Sequence, residues 1–575
     1  MTVLAQAIPD RLSAVRKLMQ DQKLDAVLVR STDRHLNEYV PDDDSTRQWL
    51  TGFTGSMGEA LVCRDRAYVA VDGRYHLQAD QEVDASQFTV VKVSLGESVE
   101  TALLRVLRES APDKARVGYE TARMSVSEVE SIQKKTAEKS FTWVATYPSL
   151  VELARGEVSL ASQPVRALDE TKLDLTATHK VAKLASDLER LKLDALFVQT
   201  LDELAYLSNL RGSEIPYSAT FRGVGLLTPK RLVLGCNVEQ VPATVRQARL
   251  GAVEFTSEDA VWAQVKKGMR IGYDPRTTSA RSRDRIAQSG AEAVSIESPV
   301  GPMKAKKGPR ELKAMVAAFA KADKVVSQAA DWLCSEVSKR NKVSELDFAN
   351  KVEALFTASG ATGLSFKVIS AAGRNGATIH YSHPNPRRII KQGELMLLDT
   401  GAYYDEGYAT DLTRTFLVGP KSQKATKEQK YYFTLVLKSA VAGMRARIPV
   451  GTRGDQLDAI TRAPLWYEGL NYNHGTGHGV GINVHEFPPR IAPQGTGILE
   501  EGMVFSIEPG CYLEKFGGVR IENLCTLERI KGMAGTLQVR PLTFSPLDQR
   551  LIDRKLLNEE ERTWLAQYMR GKAPQ

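Results

Sequence analysis

The residues best equipped for chemistry lie in the second half of the chain, which carries His380, His383, His474, His478 and His485, five of the eight histidines, among regularly placed acids. Glu394 to Tyr404 reads as one strand and Tyr408 to Val418 as another, joined by the turn residues Asp405-Glu406-Gly407. Asp399 and Asp411 are equidistant from Asp405, so in an unbulged hairpin they stand opposite each other with Cβ atoms roughly 5 Å apart. Two like charges held that way destabilise a sheet, and a cation between them reverses the sign.

A second acidic hairpin follows. Met503 to Glu508 is an apolar strand stopped by Pro509-Gly510, and Val519 to Cys525 is another beyond Gly517-Gly518. Period two sets Arg520 and Glu522 on one face, opposite Val519, Ile521 and Cys525. A carboxylate in an otherwise apolar strand is costly unless paired or metal-bound. Both readings stand for Glu522, because Arg520 is a ready salt-bridge partner.

Between the hairpins runs His474-Gly-Thr-Gly-His478-Gly-Val-Gly-Ile-Asn-Val-His485-Glu486. Its His-x-x-x-His spacing is that of a zinc-peptidase helix, but each glycine costs about 1 kcal/mol in a helix, so an extended strand fits instead. Alternate glycines then leave one face open to another backbone, while His474, Thr476, His478 and Val480 share the other. Four carboxylates and one imidazole form an oxygen-rich set that suits manganese better than a structural zinc built from Cys and His. Two ions sharing bridging carboxylates would neutralise four acids, activate a water and polarise a carbonyl, so the implied reaction is metal-assisted hydrolysis.

These strands need a scaffold, and 575 residues supply two to four domains at roughly 150 residues each. Lys23-Leu-Asp-Ala-Val-Leu-Val29 and Lys192-Leu-Asp-Ala-Leu-Phe-Val198 each follow an amphipathic helical run, and each precedes a Gly-Ser turn and further apolar strands. This repetition predicts two related α/β domains. Breaks near Ser159 to Pro164 and Pro299 to Pro309 give expected domains 1–160, 161–303 and 304–575. The last opens with an amphipathic helix over Glu311 to Val337, its apolar face including Leu312, Met315, Val316 and Phe319.

Composition narrows the partners. Hydrophobic residues at 42% and charged residues at 25% are ordinary for a folded soluble protein. A net charge of +8 without any basic block interleaved with aromatics predicts no nucleic-acid partner. Five scattered cysteines without Cys-x-x-Cys indicate free thiols in a reducing compartment, and neither a basic leader nor a run of about 18 apolar residues occurs, so a cytoplasmic protein without a membrane segment is expected.

The quoted motifs, with Asp399-Thr-Gly, Ala409-Thr-Asp411-Leu-Thr-Arg-Thr415, Ser506-Ile-Glu508-Pro-Gly510 and Val519-Arg-Ile-Glu522-Asn523, resemble those of the creatinase/methionine-aminopeptidase "pita-bread" metallopeptidase family. Phe53-Thr-Gly-Ser56, Asp72-Gly-Arg74-Tyr75 and Pro541-Leu-Thr-Phe-Ser-Pro546 extend the resemblance over nearly all of the chain, in its three-domain form. It implies two creatinase-N-terminal-like (RNase H-like) α/β domains followed by a pita-bread α+β catalytic domain. It implies Xaa-Pro aminopeptidase activity, with an Xaa-Pro dipeptidase (prolidase) as the alternative. Some members of the fold are non-catalytic binding modules, but here every ligand position is filled.

The resemblance further implies two divalent ions, manganese by expectation. Asp399, Asp411 and Glu522 would hold one, and Asp411, His478, Glu508 and Glu522 the other. Glu508 would also take a proton from water, His380 would shuttle protons and contact substrate, and His485 would stabilise the oxyanion. His474 would line a proline pocket, and Arg520 would orient Glu522 or the leaving group. Arg74 would reach the site of a second subunit in a homodimer whose substrates are peptides with proline in second position. Two departures are visible: the aspartates stand one residue further apart than is common in the family, which predicts a longer or bulged turn, and the linker before Pro164 lacks the family's Trp and Arg-Pro-Pro run.

Overall fold

The computed structural model describes residues 7–94, 97–158 and 163–571, so the expected boundary at 160 lies outside the described residues. The chain forms two compact units, one of Met1–Ala167, Leu175–Pro216 and Thr220–Val300, the other of Leu168–Asp174, Tyr217–Ala219 and Gly301–Gln575. Among the described residues no helix is long and apolar enough to cross a membrane.

The first unit holds two six-stranded sheets. One comprises β1 (Ala26–Val29), β2 (Glu59–Cys63), β3 (Ala67–Val71), β4 (Thr89–Lys92), β5 (Arg116–Glu120) and β6 (Thr142–Thr146), in the order β4-β3-β2-β1-β5-β6. The other comprises β7 (Ala195–Val198), β8 (Val224–Leu227), β9 (Leu232–Gly235), β10 (Val253–Thr256), β11 (Arg270–Tyr273) and β12 (Glu292–Ser295), in the order β10-β9-β8-β7-β11-β12. The topologies are identical: the first three strands pair antiparallel and the outer ones parallel. The central strands β1 and β7 are apolar and buried at every position, as strands covered on both faces must be. Each follows a helix, Ile8–Asp21 or Ala177–Arg190, so the predicted repetition is a repetition of fold.

The second unit opens with α1 (Pro309–Ser338), which has proline at its first turn, where the missing N–H costs nothing. It buries Met315, Phe319, Val325, Val326, Ala329 and Leu333 as the periodicity predicts, whereas Val316 faces solvent. One core joins α1 to α2 (Glu345–Ala358) and to a three-stranded sheet of β13 (Ile369–Ala372), β14 (Leu395–Thr400) and β15 (Leu412–Leu417). A second core joins α3 (Lys427–Met444) and α4 (Gly454–Trp466) to a six-stranded sheet. Its strands are β16 (Arg447–Pro449), β17 (Gly477–Gly479), β18 (Glu486–Ile491), β19 (Val504–Ile507), β22 (Asn523–Arg529) and β23 (Thr536–Pro541), in the order β16-β23-β22-β19-β17-β18. A two-stranded ribbon, β20 (Gly510–Leu513) with β21 (Gly517–Arg520), extends the β19 and β22 hairpin. Two α/β sheets followed by an α+β unit is the expected fold class.

Candidate metal centre

The first acidic hairpin departs from its expected register. Asp399 of β14 pairs with Thr413 and Thr400 with Leu412. Beyond the strands, Thr410 N donates to Ala402 O at 2.9 Å and Tyr403 bridges Ala409, so the turn centres on Glu406 and carries no bulge. Asp411 therefore lies opposite Gly401 and diagonal to Asp399, not opposite it. The diagonal keeps both carboxylates on one face within reach of a shared ligand without direct opposition. Gly401 is required there, because a Cβ would come within 1.9 Å of Thr410 O. Both aspartates are buried.

The second hairpin is interrupted where its acids stand. The β19–β22 ladder ends with Ile507 opposite Asn523, and the β20–β21 ladder resumes with Gly510 opposite Arg520 in the same register. The gap places Glu508 opposite Glu522 and Pro509, which has no N–H, opposite Ile521. The strand expected over Val519 to Cys525 is thus two strands, and their junction presents a pair of facing carboxylates.

Arg520 does not pair with Glu522. Its Nη2 donates to Asp399 Oδ2 at 2.6 Å, Nη1 to Tyr512 Oη at 2.8 Å and Ile379 O at 3.3 Å, and Nε to Thr413 Oγ1 at 3.0 Å. Glu522 instead accepts from Thr413 Oγ1 at 2.8 Å. Thr413 and Tyr512 escaped the sequence reading. Period two from Asp411 would have put Thr413 on the acidic face, and period two from Gly510 would have put Tyr512 on the face of Gly510.

The glycine run is extended only over Gly477–Gly479, shorter than expected. Its glycines do admit backbone: a Cβ on Gly477 would lie 1.9 Å from Ser506 O, and one on Gly479 would lie 2.1 Å from Glu486 O. His478 Nδ1 faces Gly479 O at 3.1 Å, a contact it makes as donor, which turns Nε2 toward the acids. That Nε2 lies 3.3 Å from Glu508 Oε1 and 3.5 Å from Asp411 Oδ2. His474 sits beside them, Nε2 3.0 Å from Tyr512 Oη and Nδ1 4.0 Å from Glu508 Oε2. The His485 ring stands perpendicular to that of His478 at 4.3 Å. His380 lies in the turn after Gly373–Ala377, next to the Ile379 carbonyl that Arg520 holds. Arg74 belongs to the first unit, where its guanidinium forks onto Asp72 at 2.8 and 3.0 Å.

The charges do not balance within the protein. Burial opposes ionisation of Glu508 and His478 alike, yet their contact holds the carboxyl at about 2 and lifts the imidazole to about 9. Burial, followed by repulsion from neighbouring carboxylates, raises Asp411 and raises Glu522 to about 8, and burial raises Asp399 against the pull of Arg520. Burial holds His474 down at about 4. Ligand atoms of Asp411, His478 and Glu522 all lie within 4.8 Å of one another, and Asp399 Oδ1 is buried without a hydrogen-bond partner among the described residues. An orphaned carboxylate oxygen in an under-neutralised acidic cluster fits hard divalent cations.

Such a centre, on paired hairpins of an α+β unit, is that of a metal-dependent hydrolase. Residues 313–529 match metallopeptidase family M24, residues 11–155 and 157–311 each match a creatinase/prolidase N-terminal domain, and residues 535–571 match the C-terminal region of M24 peptidases. The chain is 33% identical over 580 residues to a probable Xaa-Pro aminopeptidase P of Laccaria bicolor, covering 97% of this chain and 89% of that one. It is 34% identical over 587 residues to one of Sordaria macrospora, covering 97% and 94%. The X-prolyl aminopeptidase of Caenorhabditis elegans, described as a cytosolic enzyme with a di-nuclear active site, superposes with a TM-score of 0.90 at 28% identity, over 98% of this chain and 95% of that one. The Xaa-Pro dipeptidase of Bacillus anthracis superposes with a TM-score of 0.53 at 27% identity, over 65% of this chain and 99% of that one. This chain belongs to the M24 metallopeptidases that carry creatinase-type N-terminal domains.

Proposed function

We propose that the chain is an Xaa-Pro aminopeptidase, which releases an N-terminal residue from peptides whose second residue is proline. The carrying observation is the convergence of Asp399, Asp411, Glu508 and Glu522 with His478 from two hairpins and the strand between them. Similarity over the full length to aminopeptidases, against partial coverage by a dipeptidase, favours this reading over a prolidase.

Asp399, Asp411 and Glu522 would hold one divalent ion and Asp411, His478, Glu508 and Glu522 a second, manganese by the oxygen-rich donor set. Bound there, the ions would supply an activated water and a Lewis acid for the scissile carbonyl. The protein's own groups do the rest. Glu508 accepts the proton of the attacking water. His485 donates to the developing oxyanion. His380 returns a proton to the prolyl nitrogen, which lacks a hydrogen in the substrate amide. His474, held neutral by burial and fixed on Tyr512, lines the proline pocket. Arg520 orients Asp399.

Functional boundaries at 160 and 303, a cytoplasmic location and a homodimer complete the proposal. The motif resemblance of Asp72-Gly73-Arg74-Tyr75 supports Arg74 as a residue that caps the cleft of a second copy. Arg74→Ala should then slow turnover of longer peptides, and unchanged turnover would remove it from the site.

The test uses manganese-loaded protein with an Xaa-Pro-Yaa tripeptide, an Xaa-Pro dipeptide and a non-proline tripeptide. Release from the first is expected. Cleavage of the non-proline peptide alone would reject the reading, and cleavage of the dipeptide alone would make the chain a prolidase.

A further inference from the structure

Where the second hairpin's ladder lapses, the peptide groups of Glu522 need other partners. Glu522 N donates to Thr413 O at 3.2 Å, and Glu522 O accepts from Arg414 Nη1 at 2.6 Å. Arg414 is buried, and all three of its nitrogens are engaged. Nη1 also donates to Thr413 O at 2.8 Å, Nε to Ser545 O at 3.1 Å, and Nη2 to Asn523 Oδ1, Ser545 O and Tyr568 Oη, each at 2.8 Å.

These acceptors come from three places: β15, which continues from Asp411; the Glu522-Asn523 junction; and the C-terminal segment. Tyr568, at the end of the helix Glu559–Tyr568, also accepts from Asn523 Nδ2 at 2.9 Å. Its ring is stacked on Trp564 at 5.3 Å with an interplanar angle of 8°, and it leans on Phe544 at 5.5 Å. Ring packing therefore aims the hydroxyl at the junction. A planar guanidinium fixed on every side sets the spacing of the two backbones it bridges, which a flexible ammonium would not.

We propose that Arg414 and Tyr568 are positioning residues: with Asn523 they hold the Glu522 peptide in place against the strand of Asp411, and they make the C-terminal segment part of the metal centre. The proposal rests on the reading of Asp411 and Glu522 as shared ligands. Loss of an outer partner of a metal ligand typically costs 10–100-fold in metal affinity or activity.

The decisive variant is Tyr568→Phe in the full chain, which keeps the stacked ring and removes the hydroxyl, with Arg414→Lys beside it. Three quantities are read: manganese affinity of metal-stripped protein by competition with a chromophoric chelator, kcat and KM on an Xaa-Pro-Yaa tripeptide at saturating manganese, and the thermal midpoint of the metal-stripped protein. Tyr568→Phe should weaken manganese binding about tenfold and lower kcat about tenfold, with KM and the metal-stripped midpoint held. Arg414→Lys should move affinity and kcat further in the same direction. Wild-type affinity and kcat in Tyr568→Phe would overturn the proposal, and so would losses matched by a fall in the metal-stripped midpoint. If the wild-type chain itself takes up no manganese, the metal reading fails instead.

Discussion

Arg520 and Asp399 meet side on, one guanidinium nitrogen 2.6 Å from Oδ2, while the other carboxylate oxygen stays buried and unbonded among the described residues. The arginine takes half of the carboxylate and leaves half for a cation. It also contacts Tyr512, Ile379 O and Thr413, so one side chain ties Asp399 to the loop of His380 and to the partner of Glu522. Arg520→Lys keeps the charge but cannot span those acceptors. We expect kcat to fall about 10–100-fold with a parallel loss of metal affinity, read by steady-state kinetics and chelator competition. Wild-type values in both would show that the fork is dispensable.

Metal removal should act on stability as well as activity. A ligand that binds only the folded state stabilises it by about 2.7 kcal/mol at 100 times its dissociation constant. Dialysis against a chelator should abolish peptide hydrolysis and lower the thermal midpoint, and added manganese should restore both, the midpoint climbing with concentration. A midpoint indifferent to manganese would argue against binding at this buried cluster.

Patterns local in sequence were legible. The duplicated helix and strand order, the long helix from Pro309 and the two acidic hairpins follow from hydrophobic period and turn residues. Register was less so: Asp405-Glu406-Gly407 allows more than one turn centre, and a shift of one residue replaces opposition of Asp399 and Asp411 by a diagonal. The partner of Arg520 was not legible at all. Period two sets it beside Glu522, but Asp399 belongs to another hairpin, and contacts between hairpins leave no mark in spacing. Tyr568 was hidden for the same reason, since its site lies 45 residues back at Asn523.

The loop of His485 is held by a buried ionic group. Glu486 accepts from Lys307 Nζ, lies 3.4 Å from Lys304 Nζ, and receives Ile482 N at 2.9 Å. Burial works to raise its carboxyl, but the two lysines hold it down at about 2. Breaking a buried pair typically costs about 3–5 kcal/mol. Lys307→Met should lower the urea midpoint accordingly and, by loosening the loop, reduce kcat; a shift below about 0.5 kcal/mol would place Lys307 among ordinary surface substitutions.

His35, in the first unit, predicts an acid sensitivity independent of the metal centre. Its ring is buried, and burial, aided by Arg34 and Arg222 and opposed by Asp44 and a hydrogen bond with the Gln199 backbone, lowers its pKa to about 3. The unfolded chain, titrating near 6.5, binds the proton that the folded chain refuses, so stability is full above about pH 6.5 and declines as pH falls toward 3. The loss from this one ring reaches about 3 kcal/mol at pH 4. His35→Leu removes the titration, so urea unfolding of wild type and variant should agree near pH 7 and diverge below pH 6, with the variant more stable. Parallel pH profiles would mean that the imidazole accepts its proton in the folded state, through an opening of the first unit that the static packing does not show.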